Sequence, residues 1–255
     1  MSPASWPGGL RRAFIAPVLA FALAFGGCAS SQGPGASADP LEPMNRAVFA
    51  FNDTLDEYAL KPAATAYRDY VPETFRFIAG NMFENLRDVW TSVNNLLQGK
   101  PWQAVSDLSR VVINTTFGFA GMGDVASELG LPKHREDFGQ TLGVWGVPTG
   151  PYLVLPFFGP SNFRDGPSLI LDAYADPLPY LVDDVSVRNT TYVIRVLDTR
   201  AGLLGASGIM DDIALDRYLF MRDGYLQRRR SLVYDGDPPP LDDDYDDSWL
   251  DEDEE

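Results

Sequence analysis

Between Phe75 and Leu97, the apolar residues Phe75, Ile78, Met82, Phe83, Leu86, Val89, Trp90, Val93, Leu96 and Leu97 recur at helical spacing. At about 100° per residue they share roughly 140° of a helical wheel. Glu84, Arg87, Asp88, Thr91, Asn94 and Asn95 take the other side. So long a pattern of period 3.6 predicts an amphipathic helix over 72–98, opened by Pro72 and closed by Gly99-Lys100-Pro101.

The stretches on either side extend the helical reading. Leu41, Met44, Val48, Phe51, Leu55 and Tyr58 follow one another at intervals of three and four, and Lys61-Pro62 is predicted to end that helix. Phe49 lies off the stripe and meets either a second packing partner or lipid. Each run is too short and too firmly bounded by proline for a coiled coil, so both are predicted to pack inside one globular body. The segment Trp102 to Phe117 is apolar around most of its circumference, which predicts burial. Its strongly polar residues Gln103, Asp107, Arg110 and Asn114 form a narrow strip. That strip faces solvent, with Asp107 and Arg110 paired three residues apart, or lines a polar cavity.

Regular signals thin out over 118–179. Glycines and prolines there oppose a long helix or a central strand, while Trp145, Tyr152, Phe157 and Phe158 oppose a solvated linker. Such an apolar loop buries against the body, a partner or a bilayer surface. Residues 183–202 read as strand by the propensity of Thr190-Thr-Tyr-Val-Ile194 and as helix by length. A last helix is predicted over 211–234, with Arg228-Arg229-Arg230 facing solvent near its C-terminal dipole.

The ends differ from the body. Arg11 and Arg12, the apolar run Ala13 to Phe25 and the small pair Gly26-Gly27 before Cys28 make residues 1–27 a secretory signal. Cys28 sits where a bacterial lipobox places its acylated cysteine, with Phe25 where leucine is more usual. Residues 28–38 then form a flexible tether. With this sole cysteine acylated, the exported fold depends on packing without disulfides. Residues 235–255 carry nine Asp and three Glu with no Lys or Arg, and are predicted to be a disordered acidic tail. The remaining chain holds 24 acidic against 20 basic residues, so no strongly basic domain is present to bind nucleic acid.

Catalytic patterns fail on their own terms. Gly121-Met-Gly123-Asp-Val-Ala126 imitates a dinucleotide fingerprint, but Gly130-Leu-Pro132 stops any following helix too early. His134 is the only histidine, no Gly-x-Ser-x-Gly elbow presents a nucleophile, and Ser161 reads as a turn residue. Asp242-Asp243-Asp244 lacks the spacing of a calcium loop. No catalytic residue, metal site or cofactor is expected.

Several long stretches, in order, resemble the MlaA/VacJ outer-membrane lipoproteins. They are Asp39-Pro-Leu-Glu-Pro-Met-Asn45-Arg46, Tyr67-Arg-Asp-Tyr-Val-Pro72, Asn114-Thr115, Asp137-Phe-Gly-Gln-Thr-Leu-Gly143, Gly150-Pro-Tyr-Leu-Val-Leu-Pro156, Gly159-Pro-Ser-Asn-Phe-Arg164-Asp165 and Tyr225-Leu-Gln-Arg-Arg229. The resemblance spans residues 39–234. It implies a mainly α, single, compact, ring-like helical domain with a long apolar Gly/Pro-rich loop, lipid-anchored in the inner leaflet of the outer membrane beside a trimeric porin. It implies a non-enzymatic role: removing misplaced phospholipids from the outer leaflet and passing them to a soluble periplasmic carrier. Gln103, Asp107, Arg110 and Asn114 become candidate channel-lining residues, of which Arg110 and Asn114 match the family. Trp145, Tyr152, Phe157 and Phe158 become the candidate membrane-facing or porin-facing residues of the loop. Two other readings stay open: a structural, porin-associated envelope lipoprotein without a channel, and a lipid hydrolase centred on His134.

Overall fold

The computed structural model describes residues 39–240, so the signal segment, Cys28, the tether and residues 241–255 lie outside the described residues. Helix α1 (Glu42–Leu55) runs through a π-helical turn at Asp56–Leu60 directly into α2 (Lys61–Tyr70). The predicted stop at Lys61-Pro62 is therefore corrected. Lys61 keeps helical backbone angles, and the wider π turn absorbs the proline that the preceding residue normally resists. After Pro72, α3 (Glu73–Leu97) and α4 (Pro101–Thr116) form a tight helical hairpin around Gly99, whose φ of +77° suits glycine.

The region of weak signals is built from short pieces: α5 (Val125–Glu128), α6 (Phe138–Val144), strands β1 (Tyr152–Leu155) and β2 (Gly159–Asn162), α7 (Asp165–Ala175) and α8 (Leu178–Leu181). The strands pair antiparallel, with Tyr152 opposite Asn162 and Leu155 opposite Gly159. Their turn, Pro156-Phe157-Phe158, holds both phenylalanines exposed. The ambiguous segment is helical, α9 (Val185–Gly202), and packs on α2 and α3. The last predicted helix is two, α10 (Leu204–Ile213) and α11 (Arg217–Val233), because Asp216 caps a new N-terminus by accepting from Tyr218 N and Leu219 N. Residues 235–240, assigned by sequence to the tail, instead turn back on α11: Lys100 Nζ lies 2.5 Å from Asp235 and Arg230 donates to the Pro239 carbonyl.

Apolar burial is confined mainly to one small cluster. Tyr152, Val154 and Tyr218 form it, with Val48, Phe49, Leu219, Tyr225 and Leu226 against it. Phe49 finds its partner here, edge-to-face with Tyr218. Tyr152, expected on an outward loop, is 1% exposed, which removes it from any membrane or porin surface. The hairpin turns it inward, where Asn45 Nδ2 donates to its carbonyl and Asn45 Oδ1 accepts from Val154 N. Asn45 also donates to Asp39, which accepts from the Tyr218 hydroxyl as well, so the start of the body is fastened to α11.

The long helices are inside out. On α3, Asp88, Thr91, Asn94 and Asn95 are buried, while Phe75, Val93, Leu96 and Leu97 are exposed. On α4, Asp107, Arg110 and Asn114 are buried, while Trp102, Val105, Leu108 and Val112 are exposed, Trp102 at 85%. Phe119, in a turn where it and Ala120 both take positive φ, is 81% exposed. Packing of the apolar stripes inside the body, predicted above, is therefore only partly met: Ile78, Phe83, Leu86 and Trp90 are half-buried and Val48 joins the core, while the rest of the α3 stripe is exposed. The two polar helix surfaces face one another and are joined by Asn95–Asp107 and Arg110–Asp88, which leaves the apolar surfaces to the surroundings.

Candidate functional site

The polar seam between α3 and α4 is built by spacing. Residues 88, 91 and 95 on α3, and 107, 110 and 114 on α4, recur three or four apart and so lie along one face of each helix. Arg110 is the hub. Its Nη2 donates to both oxygens of Asp124, at 2.8 and 2.9 Å. Its Nη1 donates to Ser127 Oγ and the Leu131 carbonyl, and Nε to Asp88 Oδ2 at 3.3 Å. Asn114 donates to Asp124 and accepts from Ala126 N, which docks α5 onto the seam. Asp107 accepts from Asn95 Nδ2 at 2.7 Å and lies 2.8 Å from His134 Nδ1.

Asp107 and Arg110 are 0% exposed and Asn114 3%, so the solvent-facing reading of the strip fails. Their hydrogen-bond partners lie on α3 and in the 124–134 segment, and Asp107 pairs with Asn95 and His134 rather than with Arg110 as the spacing suggested. Gln103, the fourth, is half-buried, and its Oε1 has no partner among the described residues. Asn85, Thr91, Asn95 and Ser106 also bury an oxygen without a partner there, so the seam suits hydration. His134 belongs to this network as a partner of Asp107.

A second polar junction ties α6, α7 and α11. Arg229 donates to both oxygens of Asp137 and its Nε lies 2.8 Å from Asp165. The predicted solvent-facing role of this arginine is corrected, because α6 and α7 close over it. Gly139 permits the approach: a Cβ there would stand 2.6 Å from Asp165 Oδ1 and 2.8 Å from Arg229 Nη2. Sequence reasoning missed Asp137, Asp165 and Arg229 as a unit, although all three lie in the motifs that carried the resemblance. Of the aromatic loop residues, Trp145, Phe157 and Phe158 are exposed, and Trp145 Nε1 donates to the Leu97 carbonyl.

These junctions set the response to acid. Burial pushes Asp124 up, but hydrogen bonds from Ser127, Asn114 and Arg110 outweigh it and hold the carboxyl at about 2. Burial also raises Asp137 and Asp165, yet Arg229 holds the first below its ordinary value, and Arg164 with Arg229 holds the second. Groups depressed on folding add stability above their unfolded pKa and lose it as pH falls through the folded value. Asp88, Glu136 and Asp172 are raised, chiefly by burial, and act in the opposite sense at higher pH. Urea midpoints are therefore expected to rise slightly on mild acidification and to fall steeply below about pH 4. A midpoint unchanged down to about pH 2.5 would contradict the assignment.

A sequence model of the family described as MlaA lipoprotein matches residues 37–232. The intermembrane phospholipid transport system lipoprotein MlaA of Escherichia coli (strain K12) is 37% identical over 222 residues, covering 84% of this chain and 86% of that protein. Its counterpart of the same name in Haemophilus influenzae is 33% identical over 230 residues, covering 87% and 91%. A solved structure, presented as the structural basis for maintenance of bacterial outer membrane lipid asymmetry, superposes with a TM-score of 0.67 at 35% identity, covering 76% of this chain and 98% of that one.

Proposed function

The chain belongs to the MlaA lipoprotein family, and from that membership we propose that it is an envelope lipoprotein of intermembrane phospholipid transport. In this reading it withdraws phospholipids misplaced in the outer leaflet of the outer membrane and passes them to a soluble periplasmic carrier, so that lipid asymmetry is kept. Cys28 is its acylation site, and a trimeric porin is its neighbour in the membrane. No catalytic step is assigned to it.

The observation that carries the reading is the inverted burial of α3 and α4. Exposed in water, Trp102, Val105, Leu108, Val112, Phe117 and Phe119 would cost about 25 cal/mol per Å² of apolar surface. Against hydrocarbon the cost disappears, and the polar groups then belong inside. Among the described residues no helix is long and apolar enough to cross a membrane. The exposed apolar surface therefore suits entry into one leaflet, beside the acyl chains on Cys28. Gln103 stands at the end of the polar seam where a headgroup would first meet it. Asp107, Arg110 and Asn114 brace the wall behind it and reach a lipid only by releasing their present partners.

The test is made in cells deleted for the protein and complemented with the wild type or Cys28→Ala. The deletion and the variant are expected to leave phospholipid on the outer leaflet and to sensitise cells to detergent, and the wild type to reverse both. Normal outer-leaflet lipid in the deletion strain would overturn the proposal. Unaltered asymmetry together with lost porin association would favour the structural alternative.

A further inference from the structure

We propose that the half-open cavity between α3, α7 and α9 is a subsite for the ammonium of a zwitterionic phospholipid headgroup, with Asp172 as its counter-ion. The inference rests on the transport reading above and adds a headgroup preference to it. The cavity has a volume of about 210 Å³ and is lined by Phe83, Leu86, Trp90, Leu169, Asp172 and Arg195, with Arg87 also on its wall. That is below the roughly 300–1,000 Å³ of sites that hold whole drug-sized ligands, and suits a headgroup without its acyl chains.

Its charges are unequally matched. Asp176 is taken by Arg195, Asp137 by Arg229, and Glu136 by Gln98 and Lys100. Asp172 has no basic side chain within 4 Å among the described residues. Its Oδ1 accepts from Trp90 Nε1 at 2.7 Å and from Phe138 N at 3.0 Å. Two fixed donors on one oxygen orient the carboxylate and leave Oδ2 without a partner among the described residues. Burial pushes the Asp172 carboxyl up, against the hydrogen bonds from Trp90 and Phe138.

The lining selects the kind of cation. A hard metal ion requires several oxygen ligands, and the neighbouring carboxylates are already engaged. An organic ammonium needs one carboxylate and apolar or aromatic walls, which Leu86, Trp90 and Leu169 provide, the Phe83 ring being already covered by the Arg195 guanidinium at 5.1 Å. Arg87 supplies the complement: only its Nη1 is engaged, by Glu84, and its side chain is 46% exposed, so its other nitrogens can meet a phosphate. Leu169 lines the cavity beside Asp172 and is itself 39% exposed, so the apolar wall reaches the surface of α7.

The experiment titrates the purified full-length protein in micelles with dihexanoyl phosphatidylethanolamine, dihexanoyl phosphatidylglycerol and free ethanolamine, by calorimetry. The wild type is expected to prefer the ethanolamine lipid. Asp172→Asn, which can still accept from Trp90 and Phe138, should weaken that lipid about tenfold and spare the glycerol lipid. Leu169→Trp, which fills the cavity from its edge, should weaken the ethanolamine lipid without touching the carboxylate, and provides an independent check should Asp172→Asn fold poorly. Equal affinity for the two lipids in the wild type, or a preference that survives both variants, overturns the proposal. So does ethanolamine binding as tightly as its lipid, which would make the site one for a free amine. If the wild type restores lipid asymmetry in cells yet shows no preference, this inference alone falls; if it restores nothing, the transport reading falls with it.

Discussion

Arg110→Met is expected to cost about 3 kcal/mol of folding stability, because it takes from Asp124 its cation and leaves buried Asp88 only the more distant Lys133, at 3.7 Å. The Arg110 side chain is wholly buried and donates to Asp88, Asp124, Ser127 and the Leu131 carbonyl at once. Methionine fills much of its volume, so lost hydrogen bonds and uncompensated charge dominate over a cavity. Urea or thermal melts of the full chain in micelles measure the loss. Part of it should return at low pH, since Asp124 is freed from one of the groups that hold it at about 2 and takes up a proton. Adding Asp124→Asn to Arg110→Met should also recover stability, by removing one stranded charge. A melt within about 1 kcal/mol of the wild type would mean that the seam is not the brace described above.

The second large effect lies on the opposite face of the same helix. Leu108→Arg and Val112→Arg are expected to leave the fold intact in detergent and to fail in bilayers. At a helix position held in hydrocarbon an arginine costs about 2.5–3.5 kcal/mol on the insertion scale. On a surface facing water the same change is worth within about 0.5 kcal/mol. Thermal melts in phospholipid nanodiscs and in micelles, with Glu57→Arg on another exposed surface as control, separate the two cases. Nanodisc melts that match the control would place this face in water and remove the main support for membrane entry. Paired with Arg110→Met, the substitution makes a direct comparison. One helix is sensitive to losing a charge on its inner face and to gaining one on its outer face, the reverse of a water-soluble helix.

Much of the helical framework was legible from periodicity. The reading of 72–98 meets α3 at Glu73–Leu97, and that of 102–117 meets α4 at Pro101–Thr116, because apolar spacing and proline bounds act locally. Helix α7 was not legible. Gly166-Pro167 reads as a breaker, yet a proline in the first turn lacks only an amide that has no helical partner there. Tyr152 reads from sequence as membrane-facing or porin-facing because its aromatic loop must bury somewhere, and local sequence does not say whether against the body, a partner or a bilayer. Its burial depends on Asn45 and Tyr218, which reach it from the two ends of the described chain. The Asp137–Arg229–Asp165 junction was hidden for the same reason: three charged residues look solvated until α6, α7 and α11 meet.

By itself the sequence determined that the body is helical, which residues share a face of each long helix, and, through its motifs, the family to which it belongs. Only the tertiary structure decided which face turns inward. An amphipathic period is symmetric with respect to inside and outside; the medium and the partners available to the polar groups break that symmetry. Here Asn95 and Asp107, and Arg110 and Asp88, hydrogen-bond across the α3–α4 seam, and Asp124 joins Arg110 to Asn114. The apolar arcs of both helices are left facing outward, an arrangement that hydrocarbon would favour over water under the proposed function.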